Sequence, residues 1–511
     1  MYLTQGLHRC LQKQPDTIAT IAGERRQTYR MLALRVAKLA GAFGALGIAR
    51  GDRIAYLGLN SDCYTEFYFA TFWAGAVVNP VNTRWNASEI AYALNDSGSR
   101  VLLADAIIVP MLDEIRAMVP DLRHIIWIGD SGQPDGTLDY EALIDENLPV
   151  PDVRCGGEAL AGLFYTGGTT GFPKGVMLTH RNLVTSALGA GLMRFIHPAT
   201  TFLHAAPMFH AGDFSGWLIT AVTGGTHVTV PAFSPQAVLS AIEAHRVTDT
   251  ILVPTMLQML VDARELKDFD LSSLRHIGYG GSPVSDAILM RAQQALPGVA
   301  LCQAYGQTEL STFATMLMPE EHIPGSPRLR SAGRAVVHAE VGVVDADDHF
   351  LPAGKIGEIV ARGGHMMVGY WNKPEETALA LRNGWLHTGD MGRLDDDGYL
   401  YIVDRLKDMI ITGGENVFST EVENALARHP AVAACAVIGL PDEKWGERVH
   451  AAVVLKHGTV ASAGELRDHV KTLIAGYKCP QSIDIVDALP VSGTGKVLKR
   501  ALRERHLSRT N

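Results

Sequence analysis

Short apolar runs recur along this chain, each beside a stretch whose apolar residues share one helical face, and this alternation restricts the fold more than any other feature. Between Tyr29 and Leu46 the side chains Leu32, Val36, Leu39, Phe43 and Leu46 form a helical stripe, and Gly51 to Gly58 then carries the run Ile54-Ala55-Tyr56-Leu57. Further runs lie at Val101 to Ala104, His124 to Ile128, His227 to Val230, Thr250 to Val253 and Arg275 to Tyr279. The pattern predicts a layered α/β protein with largely parallel sheets, whose ligand sites gather at the carboxyl ends of strands. The longest apolar run, Phe67 to Val78, has 12 residues, where a bilayer needs ~20, and predicts a buried core helix. There is no low-complexity tract and no repeat of about 20 to 50 residues, which excludes solenoids and propellers.

At 511 residues and 47% hydrophobic content the chain can bury the cores of two or more domains. Its 45 basic against 54 acidic residues leave a net charge of −9, with no global field to hold a polyanion, so nucleic acid is excluded as the main partner. The six cysteines contain no Cys-x-x-Cys pair; the nearest two, Cys435 and Cys479, are 44 positions apart. They fit reduced thiols of a cytoplasmic enzyme. Residues 1 to 16 carry His8, Arg9, Lys13 and Asp16 and lack the apolar core of a secretory signal. The texture changes at Asp390 to Asp404, where Asp395-Asp396-Asp397-Gly398 forms a polar turn and Tyr399 to Val403 a short strand. Beyond it, Thr420-x-x-Glu423 has the form of a capping box, followed by strands at Val432 to Ile438 and Val449 to Leu455, a helix at Glu465 to Ile474 and a strand at Ile483 to Val486. The expected organisation is a large domain over residues 1–404 and a small mobile α+β domain over 405–511.

The segment from Tyr165 to Gly175 places glycines and threonines after the apolar run Ala159 to Phe164 and ends in Lys174. Glycines let backbone N–H groups converge on one concavity, hydroxyls add uncharged donors, and the lysine neutralises oxyanions, which together suit a polyphosphate. It is not a Walker A loop, because Pro173 precedes the lysine and no Gly-Lys-Ser/Thr follows; Ser492-Gly-Thr-Gly-Lys496 fails likewise, since Val497 follows its lysine. Ordinary P-loop kinases and GTPases are thereby disfavoured. No His-Glu-x-x-His or Gly-x-Ser-x-Gly motif occurs.

Tyr165 to Gly175 resembles the phosphate loop of the adenylate-forming superfamily, which includes acyl-CoA synthetases, nonribosomal adenylation domains and firefly luciferase. Four further segments resemble that family's signatures and occur in its order: Tyr305-Gly-Gln-Thr-Glu309; Thr388-Gly-Asp390; Asp404-Arg-Leu-Lys407 with Gly413-Gly-Glu-Asn416; and Val491-Ser-Gly-Thr-Gly-Lys496. The family commonly has Ser where Gly167 stands here, so one hydroxyl donor is missing while the backbone cradle is kept. The resemblance implies that ATP or AMP is held by Thr166, Gly167, Gly168, Thr169, Thr170, Gly171 and Lys174, by Gly281, Ser282, Gln303, Ala304, Tyr305, Gly306 and Thr308, and by Asp390, Ile402, Arg405 and Lys496. Tyr305 would lie against adenine, Thr308 would contact the α-phosphate, and Asp390 with Arg405 would hold the ribose. Glu309 would hold Mg²⁺, as a hard carboxylate suits that ion.

The same resemblance makes Lys496, His210, Thr166 and Lys174 the catalytic set and Lys407 the hinge between two working faces of the small domain. Coenzyme A would meet Gly413, Gly414, Trp445 and Lys478. The acyl pocket would be built from Phe209, His210, Gly212, Trp217, Tyr279 and Gly280. Ser282 offers no countercharge to an amino acid's ammonium group, so an uncharged, hydrophobic acid is expected. The implied activity is an ATP-dependent acid:CoA ligase, with a fatty acid of medium or long chain preferred over an aryl or hydroxycinnamate acid. Rivals are a carrier-protein-loading adenylation enzyme and a luciferase-like oxygenase. A homodimer is a possible assembly, and no transmembrane segment is expected.

Overall fold

The structure is a computed structural model that describes the chain except residues 130–131, 167–172, 197–199, 283, 285, 414, 492–496 and 511. By contacts it divides into two units, Met1–Val341 with Ala361–Leu386, and Gly342–Val360 with His387–Asn511. Among the described residues no helix is long and apolar enough to cross a membrane.

The large unit is built on two sheets of nine and eight strands, counted among the described residues. In the first, the strands Ile18–Ala22, Thr226–Thr229, Thr201–His204, Asp249–Leu252, His276–Gly280 and Ala300–Tyr305 are neighbours in that order and run parallel. In the second, Leu160–Thr166, Val77–Pro80, Arg53–Leu57, Val101–Ala104 and His124–Trp127 form the parallel series. The alternating α/β pattern thus yields two parallel-cored sheets, with the expected strands displaced by no more than one or two residues. Strands covered on both faces read as continuous apolar runs, which is why they are visible in the sequence.

The run from Phe67 to Val78 is not one helix. Asp62–Trp73 is helical and buried along its whole length, after which Gly75 takes a left-handed conformation at φ +72° and Val77–Pro80 enters the eight-stranded sheet. Hydropathy cannot separate these elements because both are buried all round; the glycine that admits positive φ marks the break. Tyr56, Tyr64, Phe67, Tyr68, Phe214 and Trp217 form a continuous aromatic core around this helix, with ring centroids 3.8 to 5.9 Å apart.

The strand Leu386–Leu394, in the second unit from His387 onward, pairs antiparallel with Leu400–Arg405 across the Asp395–Gly398 turn, where Asp395 accepts from the N–H groups of Asp397 and Tyr399. The C-terminal sheet joins Glu415–Val417, Ile410–Thr412, Gly446–Leu455 and Val432–Asp442, with Ser482–Ile485 parallel to Gly446–Leu455. The helix Ser419–Ala427 lacks the capping box expected at Thr420 and Glu423. Its start turns instead to Asp404, whose carboxylate accepts from the Ser419 backbone N–H and hydroxyl. Glu423 reaches across to the N–H of Val437 at 2.8 Å and to Lys499 at 2.8 Å. Long-range partners outcompeted the local motif. A reciprocal capping box does form at Ser462 and Glu465, starting the helix Ala463–Lys471.

Candidate active site

The hairpin of Leu160–Thr166 and Lys174–Thr179 places Thr166 opposite Lys174 at the mouth of its connecting loop. Gly167, Gly168, Thr169, Thr170 and Gly171, the expected phosphate cradle, lie outside the described residues. Tyr165 anchors one flank by donating its phenol to Oδ2 of Asp96 at 2.7 Å.

In the nine-stranded sheet, His276–Gly280 and Ala300–Tyr305 end side by side, Tyr279 opposite Gln303 and Gly280 opposite Ala304. A Cβ at Gly280 would stand 2.2 Å from the Ala304 carbonyl oxygen, so the close approach of these strand ends requires glycine. Gly281 then turns at φ +80°, presenting Ser282 beside the strand ends. Tyr279 is buried, and its phenol shares a hydrogen bond of 2.9 Å with Nε2 of His322. After Tyr305 the chain closes on itself: Thr312 N–H donates to Gln307 O at 3.1 Å and Ala314 N–H to Tyr305 O at 2.8 Å. Gly306 lies inside this loop, where a Cβ would meet the Thr312 carbonyl oxygen at 2.0 Å. Thr308 and Glu309 are therefore held buried by a rigid turn at the carboxyl edge of a parallel sheet.

Tyr370 joins this turn to the hairpin. Its phenol donates to Oε1 of Glu309 at 2.9 Å, the Lys174 ammonium stands 4.9 Å from the centroid of its ring, and its backbone pairs with Val176. Burial, and then the neighbouring Glu309, push the Tyr370 phenol up from its usual value, so it stays protonated and acts as a donor. Thus Lys174 and Glu309, 135 positions apart in sequence, share one aromatic residue. A buried carboxylate oriented in this way fits Mg²⁺, which binds through one or two carboxylates together with substrate phosphates and water.

His210 is the N-cap of the helix Ala211–Thr223, and its Nδ1 accepts from the Gly212 N–H at 3.2 Å. That bond assigns the neutral ring's proton to Nε2. Thr312 Oγ1 donates to the Ala211 carbonyl at 3.0 Å, tying the start of this helix to the Glu309 turn. Phe209 is buried nearby in the chain, whereas Trp217 lies within the aromatic core, its indole N–H donating to Thr65 at 3.2 Å. Asp213, a carboxylate next to the expected acyl pocket, is fully buried and paired with His204 at 2.6 Å, which in turn meets His227 at 3.0 Å. Burial pushes the Asp213 carboxyl up, opposed by His204, and the aspartate is committed to that internal line.

In the second unit Asp390 and Arg405 are register partners, with Nε to Oδ1 at 3.7 Å, and the Asp390 N–H is held by Thr388 Oγ1 at 3.1 Å. Ile402 lies on the same strand as Arg405 and is exposed. Lys407 is exposed in the turn between Leu400–Arg405 and Ile410–Thr412. Gly413, at φ +59°, donates its N–H to the Trp445 carbonyl at 2.8 Å, and a Cβ there would press on the indole at 2.9 Å. Lys478 is engaged with both carboxylate oxygens of Glu421 at 2.8 Å. Gly414 and Lys496 lie outside the described residues.

Sequence reasoning passed over Tyr370, and it quoted Asp404 within a motif without giving it the part it plays at the start of the helix Ser419–Ala427. Tyr370 sits in Gly369-Tyr-Trp371, an aromatic pair after a glycine at φ +147°, a signal that acquires meaning only once the strand it starts is seen to pair with the Lys174 strand.

Two family models match this chain. The AMP-binding enzyme model covers residues 7–371 and the AMP-binding enzyme C-terminal domain covers residues 421–496. A feruloyl-CoA synthase from Amycolatopsis sp is 41% identical over 502 residues, 97% of each chain. A long-chain-fatty-acid–CoA ligase from Mycobacterium tuberculosis is 36% identical over 94% of this chain and 93% of its own. Among solved structures, o-succinylbenzoate CoA synthetase from Bacillus subtilis, in complex with an acyl-adenylate intermediate, superposes with a TM-score of 0.86 at 32% identity, covering 98% of this chain and 97% of that one. With both domain models in sequence order and relatives matched nearly end to end, this chain belongs to the AMP-binding enzyme family of the adenylate-forming superfamily.

Proposed function

We propose that this chain is an AMP-forming acid:CoA ligase acting on a hydrophobic monocarboxylic acid. The acid carboxylate attacks the α-phosphate of ATP, giving acyl-adenylate and pyrophosphate, and the thiol of coenzyme A then displaces AMP to give the thioester. The observation that supports this most is the Lys174–Tyr370–Glu309 junction, which sets a cation and a carboxylate beside the strand end at Tyr305 and the turn carrying Thr308. In this reading Lys174 neutralises phosphate oxygens and Tyr370 orients Glu309. Mg²⁺ at Glu309, when bound, offsets the charge of the ATP phosphates. His210 points its Nε2–H at the acid carboxylate, and Asp390 with Arg405 holds the ribose. Lys496 supplies positive charge where the transition state gains negative charge. The backbone turn at Lys407 is the hinge that lets residues 405–511 present first Lys496 and then the thiol face with Gly413 and Trp445.

A fatty acid of medium or long chain is the first reading of the substrate. A hydroxycinnamate is the second, favoured by the 41% identity to feruloyl-CoA synthase against 36% to the fatty-acid ligase. Asp213 is consumed by His204, which supports an acid without an ammonium group in either case. A cytoplasmic location is part of the proposal, supported by six unpaired thiols. The test is pyrophosphate release and thioester formation with octanoate, palmitate, benzoate and ferulate, each with and without coenzyme A. Adenylate formation with transfer to a carrier protein and none to free coenzyme A would overturn the ligase reading.

A further inference from the structure

Two histidines and a carboxylate, none of them assigned a role above, converge in the second unit. His450 lies on Gly446–Leu455 and Asp484 on the parallel strand Ser482–Ile485, in a register that pairs His450 with Ser482. Asp484 is two residues beyond Ser482, so its side chain leaves the sheet on the same face. The helix Lys499–Thr510 packs on that face through Leu502, against Ala436, Ile438, Leu440 and Ala452, and supplies His506. Nδ1 of His506 is 3.4 Å and Nε2 of His450 is 3.8 Å from the same oxygen, Oδ2 of Asp484, and the three ligand atoms lie within 4.8 Å of one another.

We propose that His450, Asp484 and His506 form a binding site for one zinc-class transition-metal ion, which fastens the C-terminal helix to the sheet of the small unit. Two imidazole nitrogens and one carboxylate oxygen are a common donor set for a four-coordinate divalent ion with water in the remaining position. With metal–ligand bonds of ~2.0–2.1 Å, the edges of a tetrahedron are about 3.3–3.4 Å; the two edges to Asp484, 3.4 and 3.8 Å, are near that length, and the edge between the two histidines, within 4.8 Å, is closed by rotation of the more exposed His506 side chain. His450 is oriented from behind, because Nδ1 meets Ser482 Oγ at 2.8 Å and Nε2 is thereby turned toward the site. Its side chain is 3% exposed while that of Asp484 is 42% exposed, which gives the cluster a buried floor and an open side for ion and water. The helix is already seated by Lys499 on Glu423 at 2.8 Å and by Arg503 Nε on the Gly439 carbonyl at 2.9 Å, so His506 is presented before any ion arrives. The helix starts three residues after Lys496, so an ion here would steady the anchor of the segment carrying that lysine.

The full chain, free of any affinity tag and stripped with a chelator that is then removed, is titrated with Co²⁺ and with Zn²⁺. One equivalent of Co²⁺ should bind with the visible bands of a tetrahedral site, and Zn²⁺ should displace it and raise the melting temperature. His506→Gln and Asp484→Asn should each weaken uptake at least about 10-fold, while His349→Gln, in the exposed Asp345, Asp347 and His349 group, should not. X-ray absorption of the zinc-loaded parent identifies the ligands without substitution and should report two imidazoles with oxygen at ~2.0–2.1 Å. Absence of a stoichiometric Co²⁺ site, equal uptake by the parent and both variants, or a zinc shell without two imidazoles would overturn the proposal. None of these readouts depends on ligase activity.

Discussion

Tyr370 donates its phenolic hydrogen to Glu309 at 2.9 Å while the Lys174 ammonium stands 4.9 Å from the centre of its ring. One side chain thus orients the proposed magnesium carboxylate and packs beside the proposed phosphate lysine.

Tyr370→Phe keeps the ring and removes the donor. Because the lost bond is to a charged group, adenylation should fall by about 10-fold or more, with a raised Mg²⁺ requirement. Pyrophosphate release followed across a Mg²⁺ titration checks this. An unchanged Mg²⁺ profile would leave Tyr370 as packing.

Asp390→Ala should raise the KM for ATP more than the KM for the acid, since the proposed contacts are to ribose. Arg405, 3.7 Å away, would lose its carboxylate partner, so melting temperature is measured alongside. Equal rises in both KM values would make Asp390 a structural residue.

The two proposed lysines should separate the two half-reactions. Lys496→Ala should slow adenylation by ~100-fold, equivalent to ~3 kcal/mol, yet still form thioester from supplied acyl-adenylate. Lys407→Pro fixes φ in the turn and should allow a single turnover of pyrophosphate release without thioester. Parent-rate thioester formation by folded Lys407→Pro, starting from adenylate, would exclude the two-face hinge.

Acid should weaken the large unit through its buried histidines. Burial lowers the pKa of His180 to about 4 and of His365 to about 3, below the ordinary value of 6.5. The unfolded chain therefore takes up protons first as pH falls. The stability these residues contribute is complete above pH 6.5 and is lost progressively as pH drops toward 4 and 3. Melting temperature should decline between about pH 7 and about pH 4.5, and less steeply in His180→Gln and His365→Gln. A flat profile in the parent would contradict the burial argument.

The sequence by itself determined the layered α/β architecture with largely parallel sheets, because a buried strand such as Val101–Ala104 is a short apolar run that can be read from composition and spacing alone. It also determined the family, because each motif is a short contiguous segment whose chemistry travels with it. Tertiary structure decided what depends on partners distant in the chain. The break at Gly75 within a continuous apolar run rests on backbone conformation, and Glu423 left a local capping box for Val437 and Lys499. The junction of Lys174, Glu309 and Tyr370 and the convergence of His450, Asp484 and His506 bring together side chains from separate strands, turns and helices. Local periodicity reports which face of an element is buried, whereas the identity of its neighbour is set by sheet register and helix packing, to which no single segment of sequence has access.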